Sequence, residues 1–86
     1  MYLHLGQDTT VIFENIIGIF DMDTSTLSLK TREFLARAEK EKRVRNVSYD
    51  LPKSFIVCRE NGNDIIYISP ISSQTLIKRK RKDMIL

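Results

Sequence analysis

Two runs of consecutive apolar residues, Phe55-Ile56-Val57-Cys58 and Ile65-Ile66-Tyr67-Ile68, flank Asn61-Gly62-Asn63. Asn-Gly between β-prone segments predicts a tight hairpin. Strand side chains point to opposite faces in turn, so a hairpin apolar at successive positions needs cover on both faces. One amphipathic helix covers only one of them. The second cover comes either from a C-terminal helix, from N-terminal strands, or from a neighbouring subunit. At 86 residues and 10.0 kDa the chain has room for one small domain and no second core.

The rest of the chain supplies those candidates. Met1–Leu5 reads as a short strand, Gly6-Gln7-Asp8 as a turn, and Val11-Ile12-Phe13 and Ile16–Phe20 as two further strands. Asp21–Ser28 is a polar loop leading to a helix cap. From Leu29 to Arg43 the residues are good helix formers, with Phe34, Leu35 and Ala38 on one face. Val44–Tyr49 and Phe55–Arg59 read as strands around a Pro52 turn, and Asp64–Ser69 as the next, ended by Pro70. Ser72 or Ser73 caps a C-terminal helix over about Gln74–Lys82. The expected class is α+β: a small antiparallel β-rich domain with a middle helix and a C-terminal helix. Residues 1–77 form the domain, and residues 78–86 are a basic helix end or tail.

Charge changes along the chain. Residues 1–29 hold Asp8, Glu14, Asp21 and Asp23 and no Lys or Arg, residues 30–60 carry +4, and residues 61–86 carry +3. That polarity suits an anion-binding side or head-to-tail association of acidic and basic faces. With one cysteine, Cys58, no intrachain disulfide is available, and a reducing cytoplasm is expected. No apolar run approaches the roughly 20 residues of a membrane-spanning helix, and no Lys or Arg precedes Lys30 as a signal peptide requires. Secreted and membrane-spanning readings are set aside.

Catalytic and metal chemistry finds little support. Ile16–Asp23 ends in Asp21-Met22-Asp23 and is similar to the strand-then-DxD start of haloacid-dehalogenase-type phosphatases, where an aspartate attacks beside Mg²⁺. Those enzymes require a larger α/β sheet, and an acidic loop before a helix is the ordinary alternative. His4 is the lone histidine and Cys58 lies in an apolar run, so neither a metal set nor a Cys–His pair is patterned. No phosphate-cradling glycine loop occurs. The chain reads as a non-enzyme without a cofactor.

The basic residues carry more information. Lys78-Arg79-Lys80-Arg81-Lys82 on a helix, at about 100° per residue, goes right round the axis and cannot line one packed face. It is a solubilising helix end or an arm to an anionic polymer. Lys40, Lys42, Arg43 and Arg45 form a second cluster, partly offset by Glu39 and Glu41, and the excess continues to Lys53 and Arg59. A membrane-surface role is weaker, since few apolar anchors lie beside the run.

Four segments carry a resemblance: Met1-Tyr2-Leu3-His4-Leu5-Gly6, Ile17–Asp21, Pro52-Lys53-Ser54, and Tyr67-Ile68-Ser69-Pro70-Ile71-Ser72-Ser73-Gln74-Thr75-Leu76 with the basic residues after it. Together the chain resembles the RemA/RemB family of biofilm matrix regulators of Gram-positive bacteria, over about its first 80 residues. The resemblance implies a cytoplasmic DNA-binding regulator with a fold likened to LytTR-type domains. It also implies small subunits assembled into rings, with DNA following a basic outer surface. RemA-type members carry an arginine-rich stretch before the strand matching Phe55–Arg59, whereas this chain has Leu51-Pro52-Lys53-Ser54. Beside Lys53, phosphate contact is therefore expected from Arg43, Arg45, Arg59 and Lys78–Lys82, on charge position alone. The alternative is an oligomeric protein–protein adaptor, or a co-subunit of a RemA-like paralogue with little DNA affinity of its own.

Overall fold

A four-stranded sheet divides the core into two layers, and the chain covers both of its faces. The structure is a computed structural model; it describes residues 1–84, with side chains as far as Arg81. The strands are β1 (Tyr2–Gly6), β2 (Thr9–Ile12), β3 (Ile16–Asp21), β4 (Val44–Asn46), β5 (Ser54–Glu60) and β6 (Asn63–Ser69). The helices are a single turn α1 (Met22–Ser25), α2 (Leu29–Lys40) and α3 (Ser73–Met84). β1 and β2 form a separate hairpin, while the main sheet has the order β3-β5-β6-β4.

The central hairpin forms as its sequence dictates. Glu60 pairs with Asn63, and Asn61 (φ 52°) and Gly62 (φ 82°) take the left-handed conformations of a two-residue turn. Of β5, Ile56 and Cys58 face one way and meet Leu3, Leu5, Val11, Val47 and Leu76. Phe55 and Val57 face the other way, toward Ala38, Phe34, Leu35 and Ile66. The first face is thus covered by the β1–β2 hairpin and α3, the second by α2. Both covers come from this chain, so the two-sided apolar hairpin does not call for a neighbouring subunit.

Several local readings of the sequence are corrected. Helix α2 stops at Lys40, not Arg43. Lys42 adopts φ 60°, its N–H bonds the carbonyl of Glu39, and the Arg43 N–H bonds that of Ala38 at 2.8 Å. This closure satisfies the last carbonyls in the manner of a glycine-ended helix, but with lysine in the left-handed position. Strand β4 ends at Asn46 instead of Tyr49 and runs parallel to β6, so the sheet is not wholly antiparallel. After Val47 donates to Ile68, Ser48 Oγ accepts the Asp50 N–H at 2.8 Å and turns the chain away. Phe13 begins a 3-10 turn rather than ending a strand, and the Asp21–Ser28 loop contains α1.

β3 has an irregularity of its own. Its register shifts between Ile16 and Gly18, a bulge that leaves Ile17 exposed and lets Ile16 and Ile19 share the first face. Gly18 makes room for the Phe20 ring, which a Cβ would approach to 2.6 Å and which stacks on Phe55 at 5.0 Å. Two buried serines tie the layers: Ser69 Oγ donates to Leu5 O at 2.6 Å, and Ser54 Oγ to Ile71 O at 2.7 Å. Among the described residues no helix is long and apolar enough to cross a membrane.

Candidate nucleic-acid interface

The strand register decides which basic side chains become neighbours. β5 and β6 meet at the Glu60–Asn63 turn, and β4, parallel to β6, starts beside Ile66 near that same end. The C-terminus of α2 delivers Lys40, Lys42 and Arg43 there. α3 approaches it along the other face, with Ile77 and Lys80 beside Ile16–Ile19 and Lys80 Nζ 5.5 Å from the Phe13 ring centroid. The α3 cations thus sit on the face of β3 and the β1–β2 hairpin, while Arg43, Arg45 and Arg59 gather toward the turn end of the sheet. Lys53 lies at the other end, where Ser54 pairs with Asp21 and Ser69, next to the acidic segment.

These cations differ in freedom. Arg43 is a clamp: its guanidinium donates to Asp64 O at 2.7 Å and pairs with Glu41 at 2.7 Å, leaving the side chain 21% exposed. Arg59 pairs through Nε with the Asp64 carboxylate at 2.6 Å but stays 60% exposed. Such surface pairs contribute about 0–1 kcal/mol and leave the guanidinium able to meet an anion. Arg45 donates to Lys42 O at 2.7 Å. Arg79 reaches His4 O at 3.4 Å, and Lys78 and Arg81 are exposed. Lys82 belongs to the α3 backbone, and its side chain lies outside the described residues. The run does encircle the helix: part of it packs on the N-terminal hairpin and part faces water. Exposed Lys40 and Lys42, absent from the residues expected to touch phosphate, lie beside Arg43 at the end of α2. Their signal in the sequence was their place beside Arg43.

The remaining chemistry-bearing residues have structural occupations. Asp21 caps α1, accepting the Thr24 N–H at 2.8 Å and the Thr24 hydroxyl at 3.1 Å. The backbone bond from Thr24, then its hydroxyl, hold this carboxyl below its ordinary value, so it stays ionised. His4 Nε2 lies 2.6 Å from Gln7 O across the first turn. Burial, with a smaller push from Glu60, raises the Cys58 thiol to about 12, so it is a neutral core group. Burial and the 2.7 Å bond donated to Glu60 likewise raise Tyr67 to about 12. No group of three or more His, Cys, Asp or Glu among the described residues is arranged to hold a metal ion.

Sequence comparison places this domain among regulators. Residues 2–79 match the RemA-like family, described as extracellular matrix regulatory protein A-like. The chain belongs to that family. Extracellular matrix regulatory protein B of Bacillus subtilis (strain 168) is 44% identical over 79 residues, spanning 92% of this chain and 89% of that relative.

Proposed function

We propose that this chain is a non-enzymatic, oligomeric DNA-binding regulator of extracellular matrix genes that acts in the cytoplasm. Family membership supports the regulatory role. The observation that carries the DNA reading is the exposed basic surface of Lys40, Lys42, Arg45 and Arg59 toward one end of the sheet, with Lys78, Arg79 and Arg81 exposed on α3. Phosphates would be neutralised there, with a smaller share for the clamped Arg43, and specificity would follow DNA shape more than base contacts. Assembly into a ring repeats this weak patch, and repetition raises total affinity through avidity. Kinship with LytTR-type DNA-binding domains is part of the same proposal.

A specific observation favours a second reading. Arg43 and Arg59 are engaged with Glu41 and Asp64, and Lys53 stands apart from the other cations. A subunit so arranged would lend little DNA affinity of its own and act as an adaptor or in mixed assemblies with a RemA-like paralogue.

Binding of a labelled duplex at low and moderate salt separates the two. The regulator reading expects steep salt dependence. In a Lys78→Gln, Arg79→Gln, Arg81→Gln variant it also expects the salt slope to fall by about one for each phosphate-binding cation removed. An assembly that ignores DNA at both salt concentrations would replace it with the adaptor reading.

A further inference from the structure

The face covered by α2, with Met22 of α1 beside it, is not fully closed. A groove of about 600 Å³ runs beside β3, floored by Ile17, Phe20, Phe34, Phe55 and Val57. Ile17 is 56% and Phe20 39% exposed there. Lys30 lines the groove and has no ion pair or hydrogen bond among the described residues. Arg59 lines it too, already held by Asp64.

Elsewhere the chain displays a matching projection. The loop between β4 and β5 presents Tyr49, wholly exposed, and Leu51, 79% exposed, with Asp50 between them. Its stem is fixed at both ends, by the Val47 N–H to Ile68 O at 3.0 Å and the Lys53 N–H to Ser69 O at 2.9 Å. The Asp50 carboxylate has no partner among the described residues. Two large apolar side chains held in water on an anchored loop have no role in this chain's own core.

We propose that the Tyr49–Leu51 loop of one copy docks into the β3 groove of a second copy, with Asp50 pairing with Lys30. Apolar projection meets apolar groove, and the one unpaired carboxylate of the loop meets the one unpaired ammonium of the groove lining. Within one molecule the two surfaces do not meet: Tyr49 and Leu51 stand exposed, and neither lines the groove. The loop leaves β4 and the groove opens along β3, at opposite edges of the sheet order β3-β5-β6-β4. The contact is therefore head-to-tail, and repeating it gives a ring or a filament according to the rotation per step. This inference deepens the assembly proposed above and names its joint.

The test uses analytical ultracentrifugation of the intact chain and of variants at exposed positions. Tyr49→Ser with Leu51→Ser removes the projection, and Ile17→Lys spoils the groove. Each is expected to weaken self-association about tenfold or more. Mixed together, the two variants restore a single good joint and form a 1:1 heterodimer that grows no further. Asp50→Lys and Lys30→Asp each weaken assembly, and their combination in one chain recovers it. That pair covers the case in which Ile17→Lys fails to fold. An unmodified chain that assembles, with variants that assemble equally well, overturns this joint and leaves the assembly reading standing. Variants that fall apart and do not complement each other also overturn the joint. An unmodified chain that stays monomeric overturns both.

Discussion

The two faces of the main sheet are made from similar residues and finished differently. On one, the β1–β2 hairpin and α3 jointly bury Ile56 and Cys58, both fully enclosed. On the other, twelve-residue α2 covers Phe55, Val57 and Ile66 but leaves Phe20 and Ile17 beside an open groove. A helix presents a stripe about 10 Å wide, whereas four strands at about 4.8 Å spacing are wider. One helix cannot reach both edges. The difference teaches that the closed face holds the fold together, while the half-covered face remains available for contact.

This contrast is open to direct attack. The largest effect is expected at Leu76, fully buried on the closed face: Leu76→Ala should cost about 2–5 kcal/mol in urea unfolding, since α3 and the hairpin meet over it. Ser69→Ala, which strands the Leu5 carbonyl and removes the acceptor of the Ile71 N–H, should cost about 1–3 kcal/mol by the same measurement. Half-buried Phe34 borders the groove, and Phe34→Ala should cost only about 1–2 kcal/mol. Ile17→Ser should stay within about 0.5 kcal/mol of the parent. A loss at Ile17 as large as that at Leu76 would erase the distinction between the faces.

The faces should also differ in their response to pH. Cys58, on the closed face, has a folded-state value raised to about 12 from 9.0. Its contribution is complete below pH 9 and declines as pH rises from there toward 12, because the unfolded thiol ionises first. Thermal melts of the parent and Cys58→Ala between pH 8 and 11 should converge, with Tyr67 contributing the decline that both share. Asp21, beside the open groove, has a lowered value. Its contribution is present above the ordinary carboxyl value and is lost as pH falls through the lowered one. Asp21→Asn should remove that acid sensitivity, read as melting temperature between pH 5 and 2.

Much of the fold was legible in local chemistry. Asn61-Gly62 specified the hairpin turn, Ser28 capped α2 as its polar loop implied, and Pro70 closed β6. The end of α2 was not legible, because Lys42 occupies a left-handed position that sequence signals reserve for glycine. Nor was the direction of β4: a three-residue strand looks the same parallel or antiparallel until its partner is known. The loop carrying Tyr49 and Leu51 reads partly as strand, since apolar residues near Pro52 resemble a buried segment when exposure is unseen.

The basic clusters illustrate the division between sequence and fold. From the sequence alone came their existence, the acidic beginning of the chain, and the need to cover the Phe55–Cys58 strand on both faces. Those follow from residue type and from the two-residue period of a strand. Only the tertiary structure gathered Arg43, Arg45 and Arg59 toward one end of the sheet, set Lys53 at the other and the α3 cations on the opposite face, and closed one face fully and the other in part. Strand order and register bring together residues far apart in the chain, and local periodicity holds no record of which distant strand will be the neighbour.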